Sequence, residues 1–246
     1  MATYKQAYEK RKLTLWVDLC THCNAACPQC HRTDPSSGKT QDWLPIIRWS
    51  LAEFKLAFPP STLQHSSNVD ICGTWGDPIM NKDLFKICEY IIEVSDAKIL
   101  INTNGSLRTT DWWWDLGVTC GNRLDVVFAI DGISQEQHET YRRNTDLQMV
   151  LDNMLSLSQT PARATAFTVL FAHNEEYIQE LAKLSKRYGA ERIAFVKSDR
   201  FKIYNSLNEV KSFSFFDYTH NNQHHTLYAA TGDYEDGFEM DLSNDV

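Results

Sequence analysis

The chain of 246 residues carries 24 Lys plus Arg against 32 Asp plus Glu, a formal net charge of −8. Hydrophobic residues at 43% and aromatics at 12% exclude a disordered chain, and the length suits one large domain, or one domain with an extension. No Lys or Arg follows Lys211 while seven acids do, so bulk charge gives no support to nucleic-acid binding. No apolar run approaches the ~18 residues of a membrane span. The start, Met1-Ala2-Thr3-Tyr4-Lys5, lacks the layout of a secretory signal, which makes the cytoplasm the expected location.

In chain order, residues 1–11 read as an N-terminal extension. Leu13-Thr14-Leu15-Trp16-Val17 alternates and carries β-formers, the pattern of a first strand. Past a cysteine-rich loop, a helix is expected over residues 42–58, stopped by Pro59-Pro60. Val69-Asp70-Ile71-Cys72 is a second strand. Asn81 is placed to cap a helix whose apolar stripe is Leu84, Ile87, Cys88 and Ile91. Lys98-Ile99-Leu100-Ile101 is a third strand, and Asp111 opens a short helix through Trp112, Trp113 and Trp114. Residues 125–130 form a fourth strand, with helical sequence over residues 135–158. A fifth strand covers residues 164–171. Asn174 reads as the cap of a further helix, with Glu175 and Glu176 in its first turn and Gly189 as its stop. Residues 192–196 are a sixth strand.

Six strand–helix units over residues 12–198 predict an α/β core, a parallel sheet with right-handed crossovers. The chemistry of such a sheet belongs at the carboxyl ends of its strands. Residues 199–246 form an acidic extension holding Phe213, Phe215, Phe216, Tyr218, Tyr228, Tyr234 and Phe238, expected to cover an open side or mouth of the core.

Cysteine usage is the most informative part of the composition. Of seven cysteines, Cys20, Cys23, Cys27 and Cys30 fall within eleven residues, and none follows Cys120. An odd number in a chain without a signal peptide argues against a disulfide framework. Cys23, Cys27 and Cys30 make C-x3-C-x2-C, and three thiolates from one loop can hold an iron–sulfur cluster. The alternative is a closed zinc site that adds Cys20. Its pairs are only three residues apart, against about 12–20 in zinc ribbons.

C-x3-C-x2-C directly after a first strand resembles the radical S-adenosylmethionine (SAM) superfamily. The resemblance implies a partial (β/α)6 barrel over residues 12–198. It implies one [4Fe–4S] cluster on Cys23, Cys27 and Cys30, with SAM chelating the fourth iron through its amino and carboxylate groups. The position before the third cysteine, aromatic in many members, is Gln29 here, with a backbone role towards adenine implied. Cys20 stands where the family has a non-ligand residue.

Later motifs follow successive strands. Gly73-Thr74-Trp75-Gly76-Asp77-Pro78 resembles the family's Gly-Gly-Glu-Pro with Asp for Glu, so Gly76, Asp77 and Pro78 would face the methionine amine. Asn102-Thr103-Asn104-Gly105 is similar to Thr-Asn-Gly, which assigns Thr103 and Asn104 to the methionyl and ribose groups. Ala129-Ile130-Asp131-Gly132 resembles Ser-(Ile/Leu)-Asp-Gly, leaving Asp131 to accept from ribose or a nearby cation. His138-Glu139-Thr140-Tyr141-Arg142 is similar to the His-x-x-x-Arg run of the peptide-maturase branch, by which Arg142 pairs with the SAM carboxylate. Taken singly, each has a plain reading as a turn or a surface residue.

The activity so implied is reductive cleavage of SAM to methionine and a 5′-deoxyadenosyl radical, which takes hydrogen from a peptide, a protein or a small metabolite. An electron donor such as flavodoxin or ferredoxin is the expected partner. The alternatives are the same chemistry on a nucleotide or nucleic acid, and a non-catalytic iron–sulfur or zinc protein. No protein acid, base or nucleophile is singled out. The branch often carries a C-terminal SPASM domain with auxiliary clusters; those cysteines are missing, so one cluster is expected. Cys72, Cys88 and Cys120 read as buried apolar residues. Lys197 and Arg200 are candidates for an anionic substrate group, and His220, His224 and His225 for a polar loop.

Overall fold

The computed structural model describes residues 10, 13–204, 210–234 and 237–243; the expectation of an N-terminal extension over residues 1–11 falls almost wholly outside them. Six parallel strands form the body of the sheet: β1 (Leu13–Val17), β2 (Ser66–Ile71), β3 (Lys98–Thr103), β4 (Leu124–Ala129), β5 (Arg163–Leu170) and β6 (Arg192–Lys197). They lie in chain order, each paired with the next, as right-handed strand–helix crossovers dictate. The sheet stays open, with β1 at one edge.

The crossovers are α1 (Leu51–Ala57), α2 (Pro60–Leu63), α3 (Leu84–Val94), α4 (Thr110–Cys120), α5 (Gln135–Glu139), α6 (Leu147–Ser158) and α7 (Ile178–Arg187). The apolar stripes of α3, α4 and α6 pack on the sheet; Leu84, Ile87, Ile91, Trp113, Val150 and Met154 are fully buried there. Each such side chain removed from water contributes roughly 1.5–3 kcal/mol. Among the described residues no helix is long and apolar enough to cross a membrane.

The C-terminal segment is built of strands. A short hairpin joins β7 (Lys202–Tyr204) to β8 (Val210–Ser212). A second joins β9 (Phe215–His220) to β10 (Gln223–Tyr228), turning on Asn221 and Asn222, both in the left-handed region. β11 (Gly237–Asp241) then runs antiparallel along β6 and becomes the seventh strand of the main sheet.

Four local expectations are corrected. Residues 42–49 are not helical; Pro45 lies among them, and the helix begins only where Ser50 and Glu53 form a reciprocal capping box. Residues 135–158 are two helices, not one. They part at Thr140–Asp146, where Asn144 has φ 63° and the Asp146 side chain accepts from Met149 N–H. Asp83, not Asn81, occupies the cap position of α3, because the Asn81 amide turns inward to donate to Leu19 and Trp49 carbonyls. Asn174 stands at the N-cap position of the 3-10 turn Glu175–Tyr177 that leads into α7, but its side chain makes no capping bond; its amide donates to the Asp131 and Val169 carbonyls.

Candidate cofactor site

The cysteine loop is a tight, stapled structure. Two successive turns, Cys30 N–H to Cys27 O at 3.0 Å and Thr33 N–H to Cys30 O at 2.8 Å, set the spacing of the last two cysteines. Arg32, side chain buried, donates to Thr21 O, Ala25 O and Thr40 Oγ1 and so ties both limbs of the loop together. Gly76 packs directly beneath; a Cβ there would stand 2.3 Å from Cys20 O and 2.6 Å from His22 O. Cys20 faces away, its buried thiol donating to Asp77 O at 3.2 Å.

Cys23, Cys27 and Cys30 line a cavity of ≈ 540 Å³ at the carboxyl ends of the strands. Gly76, Asp77, Thr103, Asn104 and Arg142 share its wall, brought there from the ends of β2 and β3 and from the break between α5 and α6. Three candidates do not line it. Gln29 turns towards the loop after β6, its Oε1 accepting from Ser198 at 2.9 Å and its main-chain carbonyl from Arg200. Pro78 is buried and starts a short 3-10 turn. Asp131 sits behind Arg142.

Asp77 organises the wall instead of standing free. Its carboxylate accepts from Thr103 Oγ1 at 2.8 Å, Asn104 N–H at 2.7 Å, Asn104 Nδ2 at 2.6 Å and Ile79 N–H at 3.1 Å. Burial pushes its pKa up, and the Asn104 and Thr103 donors oppose that. Asn104 Nδ2 also reaches Asn24 Oδ1 at 2.9 Å and Cys23 Sγ at 3.7 Å.

Arg142 is held by Asp131, whose other oxygen accepts from Val169 N–H at 2.6 Å. Its Nη1 lies 3.9 Å from Cys27 Sγ. Burial works against the guanidinium charge, but Asp131 and Cys27 outweigh it and leave the pKa raised. His138, missed as a working residue, ties the two together. Asp131 N–H donates to its Nδ1 at 3.2 Å, so Nε2 carries the proton towards Thr145 Oγ1 at 3.0 Å, and Thr145 donates to Arg142 O at 2.6 Å. Burial, then Arg142, lowers the His138 pKa to about 3, which keeps the ring neutral. The signal was present in the sequence: His138 lies one helical turn before Arg142.

The donor set fits a thiolate-held cluster. Burial raises the thiol pKa of Cys23, and that of Cys27 to about 11 against the pull of Arg142. Ala25 N–H, 3.3 Å from Cys23 Sγ, and Arg142 beside Cys27 can stabilise the thiolates once metal displaces their protons. Among the described residues no three His, Cys, Asp or Glu side chains converge as one metal ion requires. A four-iron cube spreads its thiolates over separate corners and does not need that convergence.

No protein-family model and no curated protein sequence matches the chain. Solved structures do. SuiB of Streptococcus suis bound to S-adenosylmethionine aligns with TM-score 0.63 at 13% identity, over 82% of this chain and 44% of that one. Native anSMEcpe with bound AdoMet aligns with TM-score 0.60 at 15% identity, over 78% and 53%. Methylornithine synthase (PylB) aligns with TM-score 0.52 at 13% identity, over 79% and 58%. The fold is that of the radical SAM partial barrel. The chain spans about half the length of these proteins.

Two further findings bear on the sequence reading. Cys72, expected to be buried, is half-buried and lines the cavity beside Gly73. Cys88 and Cys120 are buried, as expected. A larger cavity of ≈ 1170 Å³ adjoins the first and shares Val196, Lys197, Ser198 and Asp199 with it. Its other walls come from Phe201, Lys202, Phe213, Tyr228 and Tyr234. Arg200 lines only the smaller cavity and is engaged with the Gln29 carbonyl.

Proposed function

We propose that the chain is a radical SAM enzyme of the cytoplasm that acts on a peptide or protein. The observation that carries this reading is the grouping of Cys23, Cys27, Cys30 and Arg142 round one cavity, at the strand ends of a fold shared with SAM-bound structures. Cys23, Cys27 and Cys30 hold the [4Fe–4S] cluster. When bound, the cluster supplies one electron to the sulfonium of SAM, giving methionine and a 5′-deoxyadenosyl radical. Asp131 takes one donor of Arg142 and leaves others for the SAM carboxylate. Asp77 fixes Thr103 and Asn104 in the wall against the methionyl and ribose groups. The hairpin β9–β10 reaches over the cysteine loop, where Tyr218 accepts from Arg143 at 2.6 Å and Thr219 N–H donates to Pro35 O at 2.7 Å; this limits water at the site.

The larger cavity is the substrate chamber in this reading. Among the structural relatives, SuiB has been solved with precursor peptide SuiA and anSMEcpe with Kp18Cys peptide, which supports a peptide substrate. A low-potential carrier such as flavodoxin or ferredoxin supplies the electron. Anaerobic reconstitution with iron and sulfide, followed by dithionite and SAM, tests the proposal. Methionine and 5′-deoxyadenosine should form, and Cys23→Ala, Cys27→Ala and Cys30→Ala should each lose iron and activity while Cys20→Ser keeps both. Stoichiometric zinc with no methionine release would refute it.

A further inference from the structure

Arg32 is the one Arg or Lys of the cysteine loop, residues 20–33. Only 6% of it is exposed, yet it lines the cavity together with Cys23, Cys27 and Cys30. All its hydrogen bonds go to neutral oxygens: Nη1 to Ala25 O at 3.4 Å, Nη2 to Thr21 O at 3.3 Å and to Thr40 Oγ1 at 3.1 Å. Its Nε–H is buried and has no acceptor. The carboxylates of the region are engaged elsewhere. Asp34, two residues on, accepts from Ser36 and Ser37, and Asp131 pairs with Arg142. Asp77 already meets donors from Thr103, Asn104 and Ile79. A guanidinium does not shed its proton, so burial without a counter-ion carries a lasting cost.

We propose that Arg32 is the buried counter-ion of the iron–sulfur cluster, its charge and its unpaired Nε–H answering the cluster's sulfur and setting its reduction potential. The inference rests on the cluster reading above. Three thiolates outweigh the charge of an iron–sulfur cube, so the bound group is anionic, and reduction adds to that. A buried cation favours the reduced form and raises the potential, as do hydrogen bonds to sulfur. Arg142 is less suited to the task, because Asp131 neutralises it. Ala25 places Arg32 well: it lies between the first two cysteines, its N–H is 3.3 Å from Cys23 Sγ, and its carbonyl holds the guanidinium. The charge reaches that sulfur. Burial and then Asp77 push the Cys23 thiol pKa up, and Arg32 is among the groups that pull it down. Arg32 is thus a positioning residue that acts through the cluster.

The test is a redox titration of the reconstituted full chain without SAM, under argon, with titanium(III) citrate as reductant and viologen mediators. The reduced cluster is read by electron paramagnetic resonance, and iron by metal analysis. In Arg32→Gln the ratio of reduced to oxidised cluster at a fixed poise should fall about tenfold, a midpoint lower by about 59 mV for one electron. Arg32→Lys, which keeps the charge but not the fork, should stay near the wild-type midpoint. An Arg32→Gln chain that holds no cluster while Arg32→Lys holds one would likewise support a need for charge. A wild-type midpoint in Arg32→Gln, or equal loss of iron from both variants, would reduce Arg32 to a tie for the loop and overturn the inference alone. A wild-type chain that takes up no iron would overturn the proposed function as well.

Discussion

Asp131 and Arg142 form an ion pair in which the carboxylate is wholly buried and the guanidinium also reaches the Cys27 sulfur. Removing the cation leaves a buried carboxylate with no opposite charge and only the Val169 N–H to hold it. Arg142→Ala should lower stability by about 3–5 kcal/mol in urea denaturation at pH 7. Adding Asp131→Asn should return part of that loss, because the orphaned charge goes with it. A double variant no more stable than the single one would show that the pair does not act as a unit.

His138 predicts the acid limb of the stability curve. Its folded pKa, about 3, lies below the value of about 6.5 for an unfolded histidine, so the unfolded chain binds the extra proton first. Stability is thus full above pH 6.5 and falls by about 1.4 kcal/mol per pH unit on this account as pH drops from 6.5 towards 3. His173, lowered to about 4 by burial and by Arg143, adds to the slope in the same direction. Urea midpoints at pH 7, 6 and 5 should show a shallower decline in His138→Gln than in wild type.

Gly76 is required by close approach, and its φ plays no part. A methyl group there meets two carbonyl oxygens of the cysteine loop, neither of which can move aside as a flexible side chain would. Gly76→Ala should cost roughly 1–3 kcal/mol, as overpacking does. It should also reduce iron retained after reconstitution, read by metal analysis. Full iron retention at wild-type stability would show that the loop tolerates displacement.

Tyr218 anchors the β9–β10 hairpin through one oxygen, accepting from Arg143 and donating to Thr140 O at 3.2 Å. Tyr218→Phe deletes a hydrogen bond to a charged donor, an effect of about 1.5–3 kcal/mol. Hydrogen exchange should quicken in residues 215–228 and remain unchanged in β3 and β4. Uniform exchange across both regions would contradict a local anchor.

The six parallel strands were legible because each is an apolar run between turn signals, and the motifs stood after them in order. The misreadings have a common cause. Asn81 and Asn174 have the chemistry of helix caps, yet the carbonyls that claim them belong to residues distant in sequence, Leu19 and Trp49 for one and Asp131 for the other. Segment 42–49 holds exposed Trp43, Ile46 and Ile47 beside buried Leu44 and half-buried Trp49, so its apolar residues do not form one buried helical face. There the Ser50-x-x-Glu53 box was a local signal that marked the true start. Within the site, spacing pointed to the three cysteines and Arg142 but could not tell that Asp131 stands behind the cation and Gln29 turns aside, since both depend on tertiary partners.

The pairing of β11 with β6 has a consequence for biosynthesis. Until residue 241 has left the ribosome, the nascent chain presents β6 as a bare strand edge, an invitation to pair with neighbouring chains and aggregate. Translation that stalls between β6 and β11 would therefore yield a sticky product, and a chaperone that shields sheet edges would matter most in that interval.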